Sequence, residues 1–213
     1  NEMLDFLIGK HFGDNPKEKI NEIRSFKRQA VSHMFDALSV TPQDTILEIG
    51  SGIGYMSSAI APQVKHLHCC DVSESFLNEA RKECEGQENV SFHLANGRDL
   101  SFLNDESIDN AFSHNVFIHL NLFGIYLYFQ ELKRILKPGG KFWFDIAPSE
   151  NLMTEGKLQH LFVEMSEFFK IAPETISRLV QWNSADSVAT LAKSLGFKIH
   201  SHHENIFFVL EKA

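Results

Sequence analysis

Three glycines at alternate positions, Gly50, Gly52 and Gly54, directly follow the apolar segment Thr45–Ile49. Glycine allows the backbone to turn sharply and to approach a ligand closely, because it has no Cβ atom. The N–H groups at the start of a helix that follows such a turn can bind an anionic group. The pattern therefore predicts a strand, a tight turn and a helix that hold a ligand against the backbone. A turn without any ligand is the structural alternative.

Asp71 is a second residue that could do chemistry, since it ends the apolar segment His66–Asp71, 19 positions beyond Gly52. A carboxylate at the end of that strand can accept hydrogen bonds from both hydroxyls of a ribose. A pyrophosphate-binding turn would need a small residue at position 55, and Tyr55 cannot pack so closely on the strand. These residues predict a ligand of the adenosine type, with an N-cap for the next helix as the alternative for Asp71.

His114 and His119 are candidates for a general base, because imidazole titrates near neutral pH and both follow a predicted strand. Structural histidines at the end of a strand are the alternative. No cysteine or carboxylate completes a tetrahedral set with the other clustered histidines, so we expect no metal site. These clustered histidines have a spacing typical of a strand, and they are His66 and His68 in one group and His200, His202 and His203 in another.

The charge of the chain argues against nucleic acid as a partner. Lysine and arginine number 20 and aspartate and glutamate 28, which gives a formal net charge of −8 with histidine neutral. A negative domain repels phosphate backbones. A basic cluster near the N-terminus is interpreted as a solvated helix face, and its members are Lys17, Lys19, Arg24, Lys27 and Arg28.

Cysteine usage and hydropathy favour a cytoplasmic protein without a membrane partner. Cys69, Cys70 and Cys84 are an odd number without metal-ligand spacing, as expected in a reducing compartment. No apolar run reaches the roughly 18 residues that span a bilayer. The mixed, acidic segment at residues 1–10 does not resemble a signal peptide.

The elements that must position these residues alternate between short apolar runs and helical patterns, which is typical of a parallel α/β sheet. Helices are predicted over 17–39, 54–62, 74–84 and 121–136, with Ser73 as the N-cap of the third. Five strands are predicted, at Thr45–Ile49, His66–Asp71, Val90–Ala95, Ile108–Ser113 and Lys141–Ala147. The apolar face of the first helix is assigned to Ile20, Ile23, Phe26, Ala30, Met34, Phe35 and Leu38.

The pattern changes after Pro148. Helices are predicted over 154–170 and Asp186–Leu195, followed by two strands at Phe197–His202 and Asn205–Leu210. The connection between these strands is so short that they must be antiparallel. The predicted sheet is therefore mostly parallel and ends in a reversed pair.

In their order along the chain, these motifs resemble those of the class I S-adenosylmethionine-dependent methyltransferases, in particular their small-molecule branch. The resemblance covers residues 30–147 well and 186–210 in outline. It implies an α/β fold with a Rossmann-like, doubly wound, seven-stranded sheet. The strand order would be 3-2-1-4-5-7-6 with strand 7 antiparallel, with helices on both faces. The segments that carry it are Glu48–Gly54, Asp71, Asn96–Leu100, Asp109–His114 and Leu136–Gly140.

The resemblance also implies a site for S-adenosylmethionine. The glycine turn would pass under the methionine and the ribose, and Asp71 would hold the ribose hydroxyls. Val72 and Phe76 would lie near the adenine, Asn96 would accept from its amino group, and His114 would sit beside the methionine end. The implied cofactor-binding residues are Glu48, Gly50, Ser51, Gly52, Gly54, Tyr55, Asp71, Val72, Phe76, Asn96, Gly97, Arg98 and His114.

For the whole chain, the resemblance implies one methyltransferase domain, residues 1–213, that methylates a small-molecule acceptor on oxygen or nitrogen. Residues 1–40 would form an N-terminal helical lid, and residues 148–182 a helical insert over the acceptor site. The nineteen phenylalanines are assigned to core packing, with an aromatic acceptor pocket as the alternative. Two other functions stay open: an NAD(P)-dependent oxidoreductase and a non-catalytic cofactor-binding partner protein.

Overall fold

A computed structural model of the chain describes residues 16–152, 180–203 and 206–213, together with positions 159 and 163. No helix in these ranges is both long and apolar enough to cross a bilayer. The helices are α1 (Pro16–Leu38), α2 (Ser57–Ile60), α3 (Glu74–Glu83), α4 (Leu122–Ile135) and α5 (Ala185–Ser194). The strands are β1 (Thr45–Ile49), β2 (His66–Asp71), β3 (Val90–Leu94), β4 (Ile108–Ser113), β5 (Leu136–Asp145), β6 (Ala147–Pro148), β7 (Trp182–Asn183), β8 (Phe197–His203) and β9 (Phe207–Lys212).

Seven strands form one sheet in the order β3-β2-β1-β4-β5-β9-β8. Neighbours from β3 to β5 pair in parallel, whereas β9 is antiparallel to both β5 and β8. The predicted strand order is confirmed, with β8 and β9 as its sixth and seventh strands. Because the carboxyl ends of β1, β2, β4 and β5 share one edge, the glycine turn, Asp71 and His114 are brought to that edge.

The two faces of the sheet carry separate cores. Helices α1 and α2 pack on one face, where Met34 and Ile60 are fully buried. Helices α4 and α5 pack on the other, around a group of aromatic rings whose centroids lie within 6.5 Å of one another. Core packing therefore accounts for these phenylalanines, which are Phe117, Phe129, Phe142 and Phe144.

Helix α1 turns a different residue inward from the one predicted. Phe26, assigned to the apolar face, is 61% exposed. Its neighbour Lys27 is partly buried instead, four positions beyond Ile23 and three before Ala30. Successive helical residues point about 100° apart, so the two cannot share a face. The assignment of Phe26 was therefore wrong, and α1 carries a cation on its sheet-facing stripe.

Strand β5 begins five residues earlier than predicted. Leu136 pairs with Ile108 ahead of an irregularity, after which Asn110 pairs with Lys141. Gly139 lies in this bulge with a left-handed φ of +78°, a conformation that glycine adopts without a steric cost. The segment expected only to end α4 therefore also opens the next strand.

The connection between β3 and β4, residues 95–107, contains no helix. Three partly buried imidazoles of β2 and β3, those of His66, His68 and His93, lie beside it. Nδ1 of His68 is 3.1 Å from Nε2 of His93, and the Phe102 ring of the connection stacks on His93 with centroids 4.2 Å apart. Burial lowers the pKa of all three imidazoles, and that of His68 to about 4.

Both predicted appendages lie partly outside the described residues. Of the lid at 1–40, the first fifteen residues lie outside them, and α1 forms most of the rest. Of the insert at 148–182, the described parts are its two ends and the helical positions 159 and 163. Strand β6 pairs with β7, so the two ends of the insert are adjacent.

Candidate active site

The glycine turn lies between β1 and α2, as predicted. Its three glycines all have a left-handed backbone, with φ of +78° at Gly50, +54° at Gly52 and +87° at Gly54. The N–H groups of Gly50 and Ser51 both donate to the carbonyl oxygen of Cys70, at 2.7 and 3.0 Å. The turn is thereby fastened to the end of β2, next to Asp71.

The three glycines differ in the space around them. A Cβ atom at Gly50 would lie 2.1 Å from Cγ2 of Val116, and one at Gly54 would lie 2.9 Å from Cα of Ala80 in α3. A Cβ atom at Gly52 would meet nothing within 4 Å. Packing therefore requires glycine at positions 50 and 54, whereas Gly52 borders open space in which a ligand can touch the backbone.

Asp71 is 8% exposed and fixes the backbone on both sides of this space. Its Oδ2 accepts from the N–H of Gly52 at 2.9 Å, and its Oδ1 accepts from the N–H of Ser73 at 2.8 Å. Burial raises the pKa of the carboxyl, and these backbone hydrogen bonds oppose the rise. The backbone N–H of Val72 also acts on this carboxyl, and a carboxylate with about four lone-pair positions can still accept from a ribose hydroxyl.

The residues assigned to the adenine follow Asp71 along the same edge. Val72 is apolar yet 64% exposed, and Phe76 in the first turn of α3 is partly buried. A Cβ atom at Gly97, where φ is +76°, would lie 3.5 Å from Cγ1 of Val72. Val72 and Gly97 therefore border one apolar surface that suits the face of an aromatic ring.

Asn96 already has hydrogen-bond partners within its own loop. Its Oδ1 accepts from the N–H of Arg98 at 2.8 Å and of Asp99 at 3.0 Å, and its Nδ2 donates to the Asp99 carboxylate at 2.6 Å. The oxygen expected to accept from the adenine amino group thus shapes the turn that carries Gly97. The Arg98 side chain is exposed beside it.

Glu48 lies beneath the turn and is 3% exposed. Its Oε2 accepts from the Ser57 hydroxyl and, at 3.6 Å, from the Cys69 thiol. Burial raises the pKa of the carboxyl to about 7. Its charge under the turn is therefore adjustable near neutral pH.

Lys27, interpreted from the sequence as part of a solvated helix face, is instead partly buried and reaches the same edge from α1, so that interpretation is wrong for this residue. Nζ of Lys27 lies 2.7 Å from Nδ1 of His114, the first residue after β4. The imidazole also stacks on Trp143 of β5, with centroids 5.9 Å apart and ring planes 10° apart. Burial, and then the Lys27 charge, lowers the pKa of His114 to about 4, so the imidazole is neutral at pH 7.

Asp145 ends β5 beside this pair and is 4% exposed. Its Oδ1 accepts from the N–H of Asn115 at 2.7 Å. Asn115 has a φ of +62°, which asparagine tolerates better than most residues. Burial raises the pKa of Asp145 to about 6, and the charges of Lys27 and His119 oppose the rise.

The C-terminal end of the insert is hydrogen-bonded to the segment that carries His119. The N–H of Gln181 donates to the carbonyl oxygen of Ile118 at 2.7 Å. Nδ2 of Asn183 donates to the carbonyl oxygen of Leu120 at 2.8 Å. The segment with the exposed His119 side chain therefore lies beside the point where the insert rejoins the sheet edge.

Tyr55 lies in a cleft between α1 and α3. The guanidinium of Arg24 is 5.1 Å from the centroid of its ring and pairs with Glu83 at 2.7 Å. The cleft has a volume of about 450 Å³. Among the described residues assigned to the cofactor, Tyr55 is the one that lines it. Its other lining residues are Ile20, Asn21, Ile53, Glu79 and Lys82.

The structure brings most of the predicted site residues to one edge and adds two that were missed, Lys27 and Asp145. Lys27 gave a signal in the sequence, since it interrupts the helical stripe between Ile23 and Ala30. Asp145 gave a weaker one, because like Asp71 it is a carboxylate that closes an apolar strand. The open backbone at Gly52, the acceptors of Asp71 and the apolar Val72 together fit an adenosine-containing ligand.

Comparisons with known proteins agree with this geometry. Residues 46–140 match the family model of a methyltransferase domain. The chain is 26% identical over 222 residues to the demethylmenaquinone methyltransferase of Tropheryma whipplei (strain Twist), covering 92% of this chain and 88% of that protein. A shorter match, 35% identical over 69 residues, covers 32% of this chain and 29% of protein-L-isoaspartate O-methyltransferase 1 of Polaromonas sp. (strain JS666 / ATCC BAA-500).

The fold is also that of a solved methyltransferase structure. The N-methyltransferase NodS from Bradyrhizobium japonicum WM9, in complex with S-adenosyl-L-homocysteine, superposes with a TM-score of 0.63 at 15% identity. The likeness covers 99% of this chain and 97% of that one. The methyltransferase domain matched at residues 46–140 sets the oxidoreductase alternative aside. The order of the motifs, the sheet topology and the methyltransferase domain matched at residues 46–140 support a class I S-adenosylmethionine-dependent methyltransferase.

Proposed function

We propose that the chain transfers the methyl group of S-adenosylmethionine to a small-molecule acceptor in the cytoplasm, by O- or N-methylation. The observation that carries the proposal is the open space at Gly52 beside the Asp71 carboxylate. The match to demethylmenaquinone methyltransferase, over 92% of this chain, supports a small acceptor. The isoaspartate match spans only 32% of it. The net charge of −8 supports an acceptor other than nucleic acid.

In this proposal the protein acts mainly by alignment. When bound, S-adenosylmethionine supplies a methyl group attached to a sulfonium sulfur. The sulfur is the leaving group, and it is a good one because it departs as a neutral thioether. Asp71 would accept from the ribose hydroxyls, Val72 would cover the adenine, and the backbone at Gly52 would lie against the cofactor. Holding donor and acceptor in line removes much of the entropic part of the barrier, so no covalent step by a side chain is needed.

An acceptor hydroxyl or amine must also lose a proton. As the acceptor atom bonds to the methyl carbon, the carbon–sulfur bond breaks, and the proton passes to a base or to water. We place His119 and His114 at this end as the candidates for handling that proton. The insert would close over the acceptor, because its C-terminal end is tied to the segment that carries His119.

A transfer assay with S-adenosylmethionine labelled in its methyl group tests this function. One arm offers small hydroxyl, amine and quinone acceptors, demethylmenaquinone among them. Two further arms offer an isoaspartyl peptide and a structured RNA. We expect label in a small product and none in the peptide or the RNA. Label only in the peptide or the RNA would overturn the proposed class of acceptor.

Calorimetry with S-adenosylhomocysteine tests the remaining alternative. A chain that binds this ligand and transfers no label in any arm is a non-catalytic cofactor-binding partner. The Gly52→Val variant serves as the blank, because its side chain enters the space assigned to the cofactor. Product that forms equally well with this variant comes from a contaminating enzyme.

A further inference from the structure

Lys27 is a residue of this edge that neither a motif nor the family resemblance assigns to the site. It comes from α1, whereas most of the other site residues come from the strands and the turns that follow them. Its Nζ lies 2.7 Å from Nδ1 of His114. A hydrogen bond at this distance has one donor and one acceptor, and the charges around Lys27 decide which group donates.

Charged groups face Lys27 from two other strands. Burial lowers the pKa of the ammonium, while Glu48 of β1 and Asp145 of β5 both raise it. The two carboxyl groups oppose the effect of burial and favour the ammonium form of Lys27 over the neutral amine. An ammonium has three donors and no acceptor, so the hydrogen bond runs from Nζ to Nδ1.

The surroundings of the His114 imidazole determine which of its ring nitrogens carries the proton. His114 is neutral at pH 7, so one of its two ring nitrogens carries a proton. Because Nδ1 accepts from Lys27, that proton lies on Nε2. The stack on Trp143, with ring planes 10° apart, holds the plane of the ring. The side of the ring away from Lys27 therefore presents an N–H, not a lone pair.

We propose that Lys27 is a positioning residue for methyl transfer: it holds His114 as the Nε2–H tautomer, which donates a hydrogen bond and does not serve as the general base. The inference rests on the proposed function and assigns the basic role, where an acceptor needs one, to His119. Since Lys27 belongs to α1, the tautomer persists only while α1 stays on the sheet edge.

Nitrogen NMR of the full chain, labelled with ¹⁵N-histidine, measures the tautomer directly. The ring signals of His114 are assigned from their loss in the His114→Gln variant. At pH 7.5 we expect a protonated Nε2 and an unprotonated Nδ1 in the wild type. Lys27→Met removes the donor, so its two ring nitrogens should shift toward a mixture of tautomers, and the His114 titration midpoint should rise from about 4. Lys27→Arg keeps a cationic donor and should preserve the wild-type signals.

Each result bears on the proposal. A protonated Nδ1 in the wild type overturns it without any variant, which covers the case that Lys27→Met does not fold. Unchanged tautomer and midpoint in a folded Lys27→Met also overturn it. The measurement needs neither acceptor nor turnover. A chain that shows the expected tautomer and fails the methyl-transfer assay therefore contradicts the proposed function and not the Lys27–His114 geometry.

Discussion

The backbone N–H of Gly52 donates to Oδ2 of Asp71 across 2.9 Å, so the carboxylate assigned to the ribose also holds the residue that borders the cofactor space. The second oxygen of the same carboxylate holds the N–H of Ser73, at the N-cap of α3. One buried side chain thus sets the conformation of two backbone segments on either side of the site. A change at Asp71 acts on the shape of the site as well as on its charge.

Asp71→Ala should weaken S-adenosylhomocysteine binding by about 1.5–3 kcal/mol, because it removes a charge-assisted acceptor. Asp71→Asn keeps one acceptor oxygen and should lose less. Isothermal calorimetry at pH 7.5 gives the affinities, and a thermal melt of each variant reports the loss of the Gly52 and Ser73 hydrogen bonds separately. Equal affinity in all three proteins would mean that the ribose binds elsewhere.

Gly52→Val should abolish cofactor binding while leaving the fold intact. Gly86 offers a matched control, because it too has a left-handed φ, +82°, and a Cβ atom there meets nothing within 4 Å. Both valine variants carry a similar backbone strain of about 1–2 kcal/mol, so their melting temperatures should fall together. Calorimetry then separates them, since Gly86→Val should bind like the wild type. Comparable binding by both variants would contradict the assignment of the open space.

Gly50→Ala should destabilise the fold by about 1–3 kcal/mol, because its Cβ would overlap Cγ2 of Val116. A second substitution, Val116→Ala, removes the overlapping methyl group and should recover part of that loss. Gly54→Ala meets the backbone Cα of Ala80 instead, so trimming a side chain cannot relieve it. Urea melts of the single and double variants measure the coupling. No recovery in the Gly50 pair would place the conflict in the backbone there too.

His68 should make the fold less stable as the pH falls from about 6.5 to 4. Its folded-state pKa, about 4, lies below its unfolded value, so the unfolded chain binds more protons in this window. The contribution is fully present above about pH 6.5 and is lost below it. We expect about 1–2 kcal/mol after allowing for partial exposure. The difference in unfolding free energy between the wild type and His68→Leu should therefore change between pH 7.5 and pH 4.5. A constant difference would contradict the prediction.

Most of the sheet could be predicted because its signals are local. β1, β2 and β4 occupy the predicted residues, since each is a short apolar run bounded by a turn. The start of β5 could not be predicted in this way. The sequence there ends a helix, and only pairing with Ile108 of β4 draws Leu136 into the strand.

The residues of the site also divide into those that local sequence patterns predict and those that they do not. The glycine turn and Asp71 were found because their spacing along the chain carries the chemistry. Lys27 and His114 are 87 positions apart, and their contact depends on how α1 lies across the sheet. Helical periodicity alone does not show which of Phe26 and Lys27 faces the sheet. The carboxyl groups that favour the Lys27 ammonium lie on other elements, at the sheet edge.

The antiparallel position of β9 has a consequence for the time course of folding. Residues paired between β5 and β9 are 62–70 positions apart in the chain, whereas those paired between β1 and β2 are 21 apart. Closing the longer loop costs more chain entropy before any pairing compensates for it. We expect β1 and β2 to gain protection first in pulse-labelled hydrogen exchange, and β9 last. Until β9 arrives, the outer edge of β5 with Phe142 and Phe144 stays open, and an unfinished chain can aggregate through it.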